Sequence, residues 1–159
     1  MELTFAPKGI LQIDDARIIF RNFSGEAGPY NREGDRNFAL VIPNKEIADA
    51  LVDKGWNVKV KDPMEEGDDP FMYMSVKIKF NGRGPNIYLK TGEKSNRLNE
   101  KTVGILDDIG IISVNMDIRP YDWEVNGKTG RSAYLQSMEV IQEIDRFAAR
   151  MAEEEYPTE

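Results

Sequence analysis

Apolar and polar side chains alternate along much of this chain, the two-residue period of strands that bury one face. Over Ala16–Phe23, Ile18 and Phe20 fall on one side, and Arg17, Ile19, Arg21 and Phe23 on the other. A polar, glycine-rich stretch from Ser24 to Asp35 reads as a long loop, and Asn37–Ile42 as the next strand, ended by Pro43. Asn44 is placed to cap a helix over Lys45–Lys54, with Ile47, Ala48, Leu51 and Val52 as its apolar face and Gly55 at its end. Trp56–Lys61 alternates again, Trp56, Val58 and Val60 inward, Asn57, Lys59 and Lys61 outward. After an acidic loop at Asp62–Pro70 comes Phe71–Phe80, the clearest strand. Met72, Met74, Val76, Ile78 and Phe80 share one face, and Phe71, Tyr73, Ser75, Lys77 and Lys79 the other. Asn81–Gly84 is a turn signal, and Pro85–Lys90 the partner strand it predicts, with Tyr88 and Lys90 outward.

Lys101–Asp108 reads as one or two helical turns. Ile111–Arg119 buries Ile112, Val114, Met116 and Ile118. Tyr121–Val125 and Arg131–Ile141 flank a hairpin loop within Asn126–Gly130, and Asp145–Ala152 continues as a short helix. Seven or eight short strands with one or two small helices predict a mainly β domain, a barrel or compact sandwich, over residues 1–147. Residues 148–159 form an acidic C-terminal tail.

Composition narrows the chemistry. The 159 residues suffice for one domain with a real core, and 40% hydrophobic with 31% charged residues is the balance of a soluble folded protein. There is no cysteine and no histidine, which removes disulfides, thiolate sites, zinc sites and histidine-based triads. No cofactor and no catalytic group are expected. The carboxylate pairs Asp14-Asp15 and Asp107-Asp108 have no companion base, and the acidic loop lacks the spacing of a calcium site. No apolar run approaches the ~18 residues of a membrane span, and Met1–Phe5 has no leader character, so no membrane partner and a cytoplasmic location are expected.

The net charge of −7 argues against a polyanionic ligand until its distribution is considered. Asp145–Glu159 carries five acids and two arginines, leaving the rest at −4 with 19 basic residues. The outward faces of three strands then stand out: Lys59 and Lys61; Tyr73, Lys77 and Lys79; Tyr88 and Lys90, with Arg83 in the turn between the last two. If these strands pair in sequence order, cations for phosphates and rings for stacking on bases share one surface. Solvent-facing lysines that keep edges apart and cross-strand Tyr–Lys packing are the ordinary alternative. A second cluster is Arg119, Tyr121 and Trp123, with Lys128, Arg131 and Tyr134 around the hairpin. Trp123 capping the core is the alternative there. A third is Arg21, Phe23, Tyr30, Arg32, Arg36 and Phe38 around the glycine-rich loop, with Phe38 read as core.

Two readings stand: a non-enzymatic single-stranded nucleic-acid binder, which these faces support, or a structural or interaction protein of a particle or regulatory complex, which the acidic charge and the many exposed strand edges support and which would form a defined oligomer. The segments Arg21–Gly25, Tyr30–Ala39, Gly55–Lys59, Asn81–Pro85 and Arg119–Trp123, in that order, resemble phage-type single-stranded DNA-binding proteins. The similarity runs from about Ile10 to Phe147. It implies an OB-like β-barrel with extra strands, binding of single-stranded DNA with little sequence preference, and a role in phage replication or recombination in the bacterial host. It also implies an acidic tail that recruits replication or recombination proteins and competes with DNA for a basic groove. Glu153–Glu159 looks similar, but ends on Glu159 rather than on an aromatic residue.

Overall fold

The computed structural model describes residues 1–147 other than Met64 and Arg83. Its ten strands are β1 (Glu2–Phe5), β2 (Leu11–Ala16), β3 (Ile18–Asn22), β4 (Arg36–Ile42), β5 (Lys59–Lys61), β6 (Phe71–Ile78), β7 (Asn86–Thr91), β8 (Lys94–Leu98), β9 (Ile111–Val125) and β10 (Lys128–Gln142). Helix α1 (Lys45–Asp53) lies between β4 and β5, and a 3-10 turn over Val103–Asp107 precedes β9; of the helix expected over Asp145–Ala152, Arg146 and Phe147 are helical and the rest lies outside the described residues. The acidic tail expected at 148–159 lies outside the described residues, as does Arg83.

The main path of the sheet runs β1-β2-β9-β10-β6-β4-β3. Its ladder is open between β2 and β3, yet these are consecutive in the chain, separated by Arg17 alone. The carbonyl of Arg17 accepts a hydrogen bond from the Val41 N–H at 3.0 Å. Residues 11–22 therefore act as one bent strand that pairs with β9 through its first half and with β4 through its second. A five-strand circuit results, with β6 and β10 parallel and the other pairs antiparallel. This is the partly open, five-stranded OB-type barrel, with β1, β5, β7 and β8 as additions.

The inward residues of the alternating pattern fill this barrel: Leu11, Ile13, Phe38, Leu40, Met74, Val76, Met116, Ile118 and Leu135 are all essentially inaccessible. Phe23 and Phe38 stack within it at 5.4 Å. Helix α1 starts where Asn44 accepts the Ile47 N–H at 2.9 Å, and ends before Gly55 at φ +90°. It adds Ala48 and Leu51 to the core, and Trp56 follows.

One expected pairing does not form. β7 is not the hairpin partner of β6; it pairs in parallel with residues 137–141 of β10 and antiparallel with β8. Because β6 is also parallel to β10, β6 and β7 run in the same direction, one after the other, along the same edge of that strand. Asn81–Gly84 is thus an excursion between collinear strands, closed by the Asn81 N–H on the Gly84 carbonyl at 3.1 Å, rather than a reversal. The reversal comes later, in the β7–β8 hairpin around Gly92.

Candidate nucleic-acid interface

β6 is the spine of the outer face. Its outward residues Tyr73, Ser75 and Lys77 lie opposite Val41, Ala39 and Asn37 of β4. Those short side chains leave the β6 rings standing above their neighbour. On the other edge, Lys59 of β5 pairs with Tyr73, and Lys61 with Phe71. Lys59 Nζ lies 6.0 Å from the Tyr73 ring and donates to Ser75 Oγ at 3.3 Å.

Two aromatic clusters sit on this face. In the first, Phe71 stacks on Tyr73 at 5.7 Å, and Phe20 meets both edge-on at 6.4 and 6.1 Å. Phe20 is 60% exposed although Ile18, two residues earlier, packs on the core. The cause is local: Phe20 adopts φ +51° at an irregularity in the β3–β4 ladder, which turns its ring outward and Phe23 inward. The second cluster centres on Tyr134 of β10, which lies beside Lys77 of β6 and Arg119 of β9. Lys77 Nζ and Arg119 Cζ are 5.9 and 5.3 Å from its ring centre, and Tyr121 is edge-on at 6.1 Å. Cations over ring faces keep the rings oriented.

Between the clusters the strands part. β6 and β10 share only two residue pairs, Val76–Ala133 and Lys77–Tyr134. Beside them a cleft of about 190 Å³ opens, lined by Lys59, Ser75, Lys77, Trp123 and Ser132 among others. Trp123 is partly covered because its indole lies on Gly130, where any Cβ would come within 2.3 Å of it. It therefore belongs to the hairpin surface and not to the core. Lys79 extends the basic line past Lys77 toward Arg32 of the long loop.

That loop is built rather than slack. Asn31 donates to the carbonyls of Glu26 and Asp35 and accepts from Asn37 at 2.8 to 3.0 Å. Asp107 holds its start, accepting the N–H groups of Phe23 and Ser24. Tyr30 stands fully exposed near its tip. In the rest of the third cluster, Arg21 donates to the carbonyls of Leu106 and Ile109, and Arg36 to that of Phe23, so both clamp the fold.

The charges on the face are largely uncompensated. The ion pairs among the described residues are Arg32–Asp35, Arg36–Glu100 and Arg131–Asp122. Lys59, Lys61, Lys77, Lys79 and Arg119 take part in none of them. The hydrogen bond from Arg131 and its positive charge hold the Asp122 carboxyl below the usual carboxylate range. No group of three or more acidic side chains gathers into a metal-binding set among the described residues, and no helix there is long and apolar enough to cross a membrane.

The structure thus brings together Lys59, Lys61, Tyr73, Lys77, Lys79, Arg119, Tyr121 and Trp123. It does not bring Tyr88 and Lys90 with them: β7 sets these opposite Glu139 and Ile141, farther along β10. Lys128 is exposed beside the hairpin turn, paired with Val125. Arg131 also lines the cleft beside Trp123, but its guanidinium is paired with Asp122. Tyr134, which the sequence places only among the residues around the hairpin, joins the face, as do Phe71 and Phe20. Tyr134 was within reach of sequence reasoning, since counting outward from a two-residue Asn126-Gly127 turn pairs it with Arg119. Phe71 already shared the outward face of Tyr73. Phe20 had no such signal, because its orientation depends on a backbone irregularity.

Residues 3–157 match the family model described as "Putative phage ssDNA-binding domain". Among solved structures, the chain is similar to the single-stranded DNA-binding protein from bacteriophage Enc34 in complex with ssDNA, at 14% identity and a TM-score of 0.60. That match covers 91% of this chain and 93% of the other. A second structure of the Enc34 protein gives 14% identity and a TM-score of 0.58, covering 92% and 93%. Its C-terminally truncated form gives 16% and 0.53, covering 91% and 97%. No curated protein sequence matches the chain.

Proposed function

The chain belongs to the phage single-stranded-DNA-binding family, and on that premise we propose that it holds single-stranded DNA across the β4–β6–β10–β9 face. Tyr73, Tyr134, Tyr121, Trp123, Phe71 and Phe20 stack on bases, while Lys59, Lys61, Lys77, Lys79 and Arg119 meet phosphates. The observation that carries this reading is the alternation of ring clusters with unpaired cations along one side of an OB-type barrel. Rings accept any base and cations follow the backbone, so binding is tolerant of sequence. The Enc34 protein, similar in fold, is solved in complex with ssDNA, which supports DNA binding by this chain. The role is non-catalytic, in phage replication or recombination within the host cytoplasm, and the acidic segment beyond residue 147 is the place for protein partners.

A fluorescent oligothymidine titrated at several salt concentrations tests this. The expected result is tight binding at low salt that weakens linearly on a log–log scale. No binding at low salt, or an affinity indifferent to salt, would defeat the reading.

A further inference from the structure

β9 and β10 continue past the end of the apolar core. On their inward side the residue pairs run Ile118–Leu135, Pro120–Ala133 and then Asp122–Arg131. Arg131 is largely covered, with 22% of its side chain exposed, and its guanidinium has partners on all three nitrogens. Nε donates to Asp122 Oδ1 at 2.6 Å and Nη2 to Oδ2 at 3.1 Å, a bidentate pair. Nη1 donates to the Lys54 carbonyl at 2.7 Å, at the C-terminal cap of α1. The guanidinium carbon also lies 5.1 Å from the centre of the Trp56 ring. Gly55 leaves room for this contact, since a Cβ there would come 3.3 Å from Arg131 Nη1. Tyr121 and Trp123 occupy the alternate positions of the same two strands, and Trp123 meets Arg131 at the cleft, whose lining they share.

We propose that Asp122–Arg131 is a positioning strut. It fastens the β9–β10 arm to the corner between α1 and β5, and so holds Tyr121 and Trp123 at the groove; it does not contact phosphate. The inference rests on the outer face being the DNA interface. The β6–β10 ladder ends at Ala133, so backbone pairing to β6 does not hold the arm beyond that point. A phosphate approaching the Arg131 charge would meet the carboxylate already paired with it in bidentate fashion, and three of the five guanidinium N–H donors are committed within the protein.

The two roles of Arg131 predict opposite signs for one substitution. If Arg131 bound phosphate, Asp122 would be its competitor, and D122A would tighten binding. If the pair is a strut, D122A loosens the arm and weakens binding, although it removes a negative charge from the protein. The test titrates the full chain with fluorescent oligothymidine at several salt concentrations, using wild type, D122A, R131Q, Y121A/W123A and Y121A/W123A/R131Q, each checked for folding by thermal melting. D122A is the decisive variant should R131Q fail to fold.

The expected result is a loss of about threefold to thirtyfold for D122A and for R131Q, the range of coupled neighbouring residues, with an unchanged salt slope. In the Y121A/W123A background, R131Q should add less than about twofold, because the rings it positions are gone. Tighter or unchanged binding by D122A overturns the strut, as does a salt slope lowered by about 0.7 in R131Q, the mark of one lost phosphate contact on a single strand. Wild-type protein that binds no oligothymidine removes the DNA reading itself, a result distinct from a failed strut.

Discussion

Tyr134 and Tyr88 are both tyrosines on outward faces of neighbouring strands, and their surroundings separate them. Tyr134 has Lys77 and Arg119 over its ring and Tyr121 at its edge, whereas Tyr88 lies opposite Glu139 and Arg97. Tyr134→Ala should therefore cost about 1–3 kcal/mol of oligothymidine affinity, the worth of one base–ring stack. Tyr88→Ala should cost none, because β7 carries it farther along β10, away from the rings and cations of the face. Paired titrations of the two variants decide the matter. Asp122 gives a second residue-level outcome. Its folded-state pKa is depressed by the Arg131 hydrogen bond and charge, so its contribution is present above the ordinary carboxylate pKa. That contribution is lost as pH falls through the lower folded value. Following the Asp122 side-chain carbon by NMR should show titration below the usual range in wild type, moving back up in Arg131→Gln.

Among the elements, helix α1 was legible at its ends, Asn44 as cap and Gly55 past the end being local signals; of its expected apolar stripe Ala48 and Leu51 are buried and Ile47 packs on the core, while Val52 is exposed. Asn44→Ala should lower stability by about 1 kcal/mol in a denaturant titration and leave DNA affinity unchanged, since the cap faces no part of the groove. The outward set of β6 was equally readable, because a pleat fixes side-chain direction wherever the strand is regular. Pairing was not. Whether Asn81–Gly84 reverses the chain depends on β10, more than forty residues later, offering β7 a parallel edge. The same holds for the bent strand 11–22, of which the alternation showed only the second half, for β1, whose alternation spans just four residues, and for β8, whose polar sequence carries no period. The hairpin arm joins the two kinds of information. Gly130 gives Trp123 a flat seat that only a residue without Cβ can supply. Gly130→Ala should displace the indole and weaken binding by a factor comparable to losing Trp123, with intrinsic tryptophan fluorescence reporting the shift.

At the scale of the whole molecule, an acidic protein is asked to bind a polyanion, and the arrangement of charge makes that workable. The total of −7 includes cations that the fold sets on one side of the barrel without ion-pair partners. Lys90 stands apart from that side, on a strand that shares no ladder with β6. Net charge governs repulsion at distances beyond the Debye length, about 8 Å at physiological ionic strength, whereas contacts within the groove respond to the nearest charges. Removing a cation of the face should thus act through counterion release, and removing one elsewhere should act only through the weak, screened total. Lys77→Gln is expected to reduce the slope of log affinity against log salt by about 0.7, the value for one phosphate contact on a single strand. Lys90→Gln changes the net charge by the same amount and is expected to leave the slope as it was. Equal slopes for the two variants would mean that the protein's total charge, and not the register of β6 with β5 and β10, sets its hold on DNA.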